Sequence, residues 1–464
     1  MKTLLVVVFV LLLLCAAPLI YLVSSNETVL KLENPPKVIA FQTPVTVRAE
    51  NSHGVRWVTL AITQDGKTTE TRIAQAKEQS IFPKRNEAPV IIRANVGKQS
   101  TPSLHDGKAK ITITAVSNDF RGKSTSVSLD VDVMTEPPRV SADGAQHYIN
   151  QGGSEMVTFT PGGAWTEAGV QVGDYKFRSF PLPNHPGQYF SLFAYSWQNG
   201  PETPAFVYAS NPAGTLARAD FTHKVFPKKF RASTIPLEVM NLDRIVGQID
   251  PNNQIKGDLV ERFIYINNEM RKQNNKVLAD LRLQSEQKFL WFGAFLPMVD
   301  STVESRFADD RTYTWQGKKV DQQTHLGFDL AKLAHSPVPA SNDGRVIFAE
   351  NLGIYGNCIV VDHGFGLQTV YAHLSEFLVK QGDMVTKGQT LGKTGATGLA
   401  GGDHLHFTML IDGVQVNPVE WWDAHWLKDR ILSRMDVTLD EKTPSGGYPA
   451  PKSRATKTKK SKRR

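Results

Sequence analysis

Cysteine is nearly absent from the chain: there are two among 464 residues, Cys15 and Cys358. Cys15 sits in an apolar N-terminal run and Cys358 lies far downstream, so neither a disulfide framework nor a zinc site built on cysteine is expected. A charge imbalance is also lacking outside the C-terminus. The last stretch, "KSRATKTKKSKRR" from Lys452 to Arg464, holds eight Lys or Arg and no acid. Taking those eight from the 53 basic residues leaves 45, equal to the 45 acidic ones. The body of the chain is therefore neutral. The tail reads as disordered, serving either as a solubilising end or as a contact for an anionic surface. A phosphate-binding loop is missing too. "GQTLGKT", from Gly388, has three residues between its first glycine and the Gly-Lys pair, where that loop needs four.

What is present begins with "LLVVVFVLLLLCAAPLIYLV", Leu4 to Val23, which carries no charge. As a helix it spans a hydrocarbon core of about 30 Å. A cleaved signal peptide would have a shorter apolar region followed by a small-x-small site. The run continues past Pro18, so residues 1–25 read as an uncleaved transmembrane anchor with the remainder exported. Leu14 is too large for a lipoprotein signal before Cys15. The expected location is the bacterial cytoplasmic membrane, single-pass, with the bulk of the chain in the periplasm or wall space. An exported chain of this kind has no nucleic-acid partner.

The length predicts about three domains. The fold class expected is mainly β. Residues 26–135 alternate apolar and polar in "VTVRA" (Val45, Val47, Ala49), "VTLAI" (Val58, Leu60, Ile62), "ITITA" (Ile111, Ile113, Ala115) and "VSLDVDV" (Val127, Leu129, Val131, Val133). Period-two alternation with Gly/Asn/Asp turns predicts a β-sandwich module. After "TEPPRV" a second β-rich module is expected over 136–237, so the two read as tandem immunoglobulin-like modules. Over 238–291 the period turns helical, with Asp258 and Glu261 in the form of a capping box. That segment reads as a connector, with a cover over a downstream site as the alternative. Residues 292–428 return to short, glycine-punctuated strands, and 429–464 form the basic tail.

Four of twelve histidines stand in contexts suited to chemistry. In "THLGFDLA" an extended strand puts His325, Gly327 and Asp329 on one face, and the missing side chain at Gly327 leaves room for an ion. In "GGDHLHFTML" His404 and His406 share a face, with Leu405 and Phe407 on the other. In "QTVYAHLS" Thr369, Tyr371 and His373 share one. Zinc accepts neutral imidazole and carboxylate, and a catalytic site keeps one position open beside three protein ligands. Two His and one Asp fill three places and leave two histidines for acid–base work. The other eight histidines read as structural, His363 included.

Together these segments resemble the lysostaphin/LytM-type zinc metallopeptidases, a family of peptidoglycan endopeptidases with the duplicated hybrid motif fold. The likeness covers roughly Phe307 to Trp422. It rests on "HLGFDLA", "VYAHLS" and "GDHLHF", with the Gly-punctuated "VKQGDMVTKGQTLGKTGATG" between the last two. The resemblance implies an antiparallel β-sheet groove, one Zn2+ held by His325, Asp329 and His406, and a catalytic pair of His373 and His404. It implies hydrolysis of peptide bonds in peptidoglycan stems or crossbridges. The alternative is a non-hydrolytic regulator of another wall hydrolase, because some relatives lose ligands. All five positions are intact here.

Overall fold

The computed structural model describes residues 24–80 and 86–435. The expected membrane segment up to Val23 and the tail beyond 435 lie outside the described residues. Among those described, no helix is long and apolar enough to cross a membrane. The chain divides into two compact units, one built mainly from residues up to Arg139 and one mainly from Val140 onward.

The first unit is a two-sheet sandwich. One sheet pairs Val29–Glu33, Thr43–Glu50 and Val90–Val96. The other runs in the order Val38–Ile39, Ser124–Val133, Gly107–Ser117, Val55–Gln64, Lys67–Gln75. Val45, Val47 and Ala49 from the first sheet share a core with Val58, Leu60, Ile62, Ile111, Ile113 and Ala115 from the second. The period-two pattern thus marks the inner faces, as two packed sheets require. Val127 departs from it and is 36% exposed, whereas Val131 and Val133 are buried. Three strands facing five leave part of the larger sheet uncovered.

The second β-rich stretch forms two four-stranded sheets from its own residues, one in the order Phe180–Pro181, Tyr189–Ala194, Ser154–Gly162, Arg139–Ala142 and one in the order Tyr175–Arg178, Glu167–Val172, Ala205–Ser210, Leu216–Asp220. Most of it falls in the same compact unit as the C-terminal region. The reason is chemical. Phe180 and Phe190 pack on Phe365 with ring centroids 5.1 Å apart, and Phe289 closes the cluster at 4.8 Å from Phe365. Arg178 donates from Nε to Asp412 Oδ1 at 2.7 Å. The Glu420 carboxylate accepts from the Ser154 amide at 2.9 Å and from Asn150 Nδ2 at 2.8 Å.

Burial pushes the Glu420 carboxyl up to about 7, despite the hydrogen bonds from Asn150 and Ser154. A carboxyl raised in the fold contributes stability below its unfolded value near 4.5 and loses it as pH rises through 7. Glu420→Gln never ionises. Its stability relative to wild type is therefore expected to improve by about 2–3 kcal/mol between pH 5 and pH 8. Denaturant melts of both proteins at the two pH values check this, and a pH-independent difference would refute it.

The helical segment is more than a connector. Asn241 caps Leu242–Ile249 by accepting from the Arg244 amide. Asp258 and Glu261 form the expected capping box at the start of Leu259–Tyr265. Helix continues through a π turn, Ile266–Met270, and Arg271–Asp280 to Gln284. Its apolar side, including Leu242, Val246, Phe263, Ile266 and Leu278, shares one core with Val360, Val370 and Leu410 of the C-terminal sheet and with Tyr355 of the turn Gly353–Tyr355. A free connector would expose those side chains, so the segment folds as part of the C-terminal domain.

That domain is centred on an antiparallel sheet. Its order is Thr302–Ser305, Phe328–Ala331, Leu405–Ile411, Leu367–Leu374, Asn357–Gly364, Gly344–Asn351, Met384–Val385, with Val414–Val416 also paired to Leu405–Ile411. Cys358 is wholly buried in it. A smaller sheet pairs Ala232–Pro236 with the hairpin Asp309–Trp315 and Lys318–His325. Residues 429–435, assigned above to the tail, are packed on the fold. Residues 424–432 are helical, and Ile431 and Met435 are buried. Their apolar side chains and Arg434, whose Nε lies 3.6 Å from Glu155 Oε1, tie this stretch to the fold.

Candidate metal centre

The segment "HLGFDLA" is not one strand. His325 ends Lys318–His325 in the small sheet, the chain bends at Leu326 and Gly327, and Phe328–Ala331 enters the large sheet. The bend still presents His325 and Asp329 to a common point. Asp329 pairs in register with His406 on the adjacent strand. His325 Nε2 lies 2.9 Å from Asp329 Oδ1 and 3.0 Å from His406 Nδ1, and His406 Nδ1 lies 3.1 Å from Asp329 Oδ1. These three residues form a buried group of donors able to hold an ion.

Gly327 acts differently from the expected open gap. A β-carbon there would sit 2.6 Å from His406 Nε2 and Cε1, and 2.7 Å from the Phe407 carbonyl oxygen. The glycine is what lets the His406 ring approach the bend. Gly327→Ala is expected to weaken zinc affinity by about 10–100-fold, the scale of losses from disturbing groups that orient a ligand. Competition with a chromophoric chelator measures it, and unchanged affinity would show that the ring has room to shift.

His373 corrects the sequence reading in a second place. Tyr371 pairs with Phe407 and Ala372 with His406. Simple alternation would therefore send His373 to the Tyr371 side, away from His406. Instead the register with the neighbouring strand slips between Asn357 and Ile359, and His373 has φ +64°. This irregularity reorients the chain, as β-bulges do beside functional sites. The His373 ring lies 4.9 Å from that of His404 and 5.8 Å from that of His406. Thr369 and Tyr371 stay on the other face, where Thr369 Oγ1 donates to the Tyr371 hydroxyl and meets His363 Nε2. His363 also bonds the Asp343 carbonyl through Nδ1, and burial pulls its pKa down to about 4. It is a neutral core histidine.

Backbone carbonyls set the tautomers. A carbonyl oxygen only accepts, so a ring nitrogen bonded to it carries hydrogen. His325 Nδ1 donates to the Arg306 carbonyl at 3.0 Å, His373 Nδ1 to that of Thr397 at 2.8 Å, and His404 Nδ1 to that of Gly402 at 2.9 Å. In the neutral rings all three Nε2 atoms are then lone-pair donors. His404 Nε2 is 3.5 Å from Asp329 Oδ1. The second Asp329 oxygen accepts from Arg311 Nη2 at 2.7 Å, leaving Oδ1 to the imidazoles.

The donor set fits zinc. His325 Nε2 and Asp329 Oδ1 are both acceptors when the ring is neutral, and their 2.9 Å separation calls for a cation between them, a proton or a metal. A tetrahedral ion with bonds of about 2.0 Å spaces its ligand atoms about 3.3 Å apart, close to the spacings here. Burial favours a neutral Asp329, but the imidazoles of His325, His404 and His406 overcome it and hold the carboxyl well below its usual range. Burial also draws His406 down to about 4 and, with His404 and His406 beside it, His373 well below an ordinary imidazole. Anionic oxygen and neutral nitrogen are the forms that bind zinc.

All five residues line one cavity of about 550 Å³, which Thr234 and Ile235 of the small sheet also line. Sequence reasoning did not find Arg311, or the carbonyls of Arg306, Thr397 and Gly402. Arg311 reaches Asp329 through sheet geometry, and main-chain acceptors leave no signal in a sequence.

Comparison with known proteins bears on the same region. Residues 323–418 match peptidase family M23. The DD-carboxypeptidase/endopeptidase Mpg of Neisseria meningitidis serogroup B is 38% identical over 126 residues, 26% of this chain and 27% of that protein. The peptidoglycan DD-endopeptidase ShyA of Vibrio cholerae is 41% identical over 96 residues, 21% and 22% of the two chains. The stage II sporulation protein Q of Bacillus subtilis is 41% identical over 143 residues, 28% and 50%. The match thus spans about a quarter of the first two relatives.

Proposed function

Taking residues 323–418 as a peptidase family M23 domain, we propose that the chain is a zinc metalloendopeptidase that hydrolyses peptide bonds in peptidoglycan. The observation that carries this reading is the meeting of His325, Asp329, His373, His404 and His406 in one cavity, with three of the rings fixed by carbonyls. His325, Asp329 and His406 would hold the ion. Bound there, zinc supplies a Lewis acid for the scissile carbonyl and lowers the pKa of a water toward about 7.

The chain's own residues do the rest. The His373 and His404 rings are neighbours, each fixed through Nδ1. One Nε2 takes a proton from the attacking water, and the pair returns a proton to the leaving amine as the bond breaks. Arg311 holds Asp329 Oδ2, so the carboxylate keeps one orientation. The relatives named as DD-endopeptidases support peptidoglycan as the substrate. The apolar run Leu4–Val23 supports a membrane anchor that keeps the domain at the envelope, and the basic tail supports contact with an anionic surface there.

The test is incubation of the protein, lacking the first 25 residues, with purified peptidoglycan, with and without a zinc chelator. Fragments are identified by mass spectrometry. Chelator-sensitive splitting of cross-links is expected, and the fragments name the bond. Stoichiometric zinc without any release would favour the regulator, a reading to which the match with a sporulation protein not named as a hydrolase lends support.

A further inference from the structure

The helix Leu242–Ile249 lies outside the region that matches the peptidase family, yet one of its side chains grips the loop behind the two histidines assigned to proton transfer. Arg244 Nη1 donates to the Ala396 carbonyl at 2.8 Å, and its Nη2 donates to the Ala400 carbonyl. Between those carbonyls lies that of Thr397, the acceptor for His373 Nδ1. Two residues past Ala400 is the Gly402 carbonyl, the acceptor for His404 Nδ1. One guanidinium therefore brackets the carbonyl that fixes His373 and anchors the loop two residues before the carbonyl that fixes His404. The fork geometry of arginine suits two acceptors at once, and lysine offers only a point donor on a flexible stem.

A second route joins the helical segment to the same loop. Asn274 Oδ1 accepts from the Ile354 amide at 2.9 Å, and the Ile354 carbonyl accepts from the Leu399 amide at 2.8 Å. Thr397 Oγ1 accepts from the Asn357 amide at 3.0 Å and donates to the Leu374 carbonyl at 2.9 Å, next to His373. The loop is glycine- and alanine-rich, "GATGLAGG" from Gly395 to Gly402, with few side chains of its own to fix it. Its conformation is held from outside.

We propose that Arg244 is a positioning residue for His373 and His404, which makes the helical segment a working part of the peptidase and not a cover to be removed. This rests on the hydrolase reading given above. Misplacing a general base by a fraction of an ångström lowers turnover while leaving groups that bind the substrate in place. None of the three residues assigned to the metal touches Arg244, so zinc binding is a built-in control.

The experiment uses the protein lacking its first 25 residues, in wild-type, Arg244→Ala and Arg244→Lys forms. Three quantities are read: amide hydrogen exchange over residues 395–404, zinc per chain, and kcat and KM on purified cross-linked muropeptides. The expected result is faster exchange in that loop for Arg244→Ala, zinc at one per chain, kcat lower by about 10–100-fold and KM within about threefold. Added guanidinium at low millimolar concentration is expected to restore part of kcat to Arg244→Ala. Arg244→Lys is expected to fall between the two. Unchanged loop exchange overturns the clamp whatever the activity. Loss of zinc, or a fall in kcat that tracks global unfolding without guanidinium rescue, reduces Arg244 to a structural residue and also overturns it. A wild-type protein that splits no cross-link overturns the hydrolase reading and with it the catalytic part of this inference.

Discussion

Asp329→Ala is expected to empty the metal centre, taking bound zinc from one per chain to under about a tenth and hydrolysis down by at least about a thousandfold. Asp329 is the one anion among the three donors that converge within 3.1 Å. Its removal leaves two imidazoles, and it takes from Arg311 Nη2 its 2.7 Å carboxylate acceptor, with Tyr313 the partner that remains. A cation left buried without its carboxylate costs about 3–5 kcal/mol, so some loss of stability is expected as well. Asp329→Asn keeps the shape and separates the two effects: it should retain more of the fold and still lose most of the metal. Metal analysis and peptidoglycan assays, with zinc added back, decide the matter. Chelated wild type should recover with zinc and the variants should not. Full activity in Asp329→Ala with zinc retained would remove the metal centre from the mechanism.

His373→Ala and His404→Ala are expected to part from that pattern, keeping zinc at one per chain while kcat falls by about 10²–10⁴. Neither residue is among the three converging donors, and each ring is tethered to a main-chain oxygen of the same glycine-rich loop. If they transfer protons as a pair, the losses will not add. The double variant should be little worse than the more damaged single one. Equal, multiplying losses would instead mark two independent roles. A His373→Ala protein with wild-type kcat would leave its strained backbone, at φ +64°, without a catalytic reason.

Much of this centre was legible because its spacings are local. His404 and His406 at i and i+2 on a strand must share a face, and they do. His325 and Asp329 converge as expected, although across a bend and not along a strand. The misreadings lie where tertiary structure overrides local pattern. The face of His373 depends on a slipped register with a partner strand, which no period in its own segment encodes. The helical segment looked like a connector because its apolar side gives no hint of its partner, here the sheet face that also carries His406, at Val360, Val370 and Leu410. The helical period over 238–291 set the second β-rich stretch apart from the C-terminal strands. What binds it to the C-terminal domain is a set of pairs more than 170 residues apart, such as Phe190 with Phe365 and Ser154 with Glu420.

The burial of Cys358 has a practical consequence. Its surroundings drive the thiol pKa far up, and it has no path to solvent, so it should resist maleimides and other thiolate-seeking dyes under native conditions. Once the first 25 residues are removed, Cys15 goes with them and no reactive sulfur remains. The natural sequence is then a silent background for site-directed spectroscopy. Paired cysteines introduced on the helix Leu242–Ile249 and near Gly402 could report by fluorescence transfer whether the clamp keeps its spacing when a muropeptide binds.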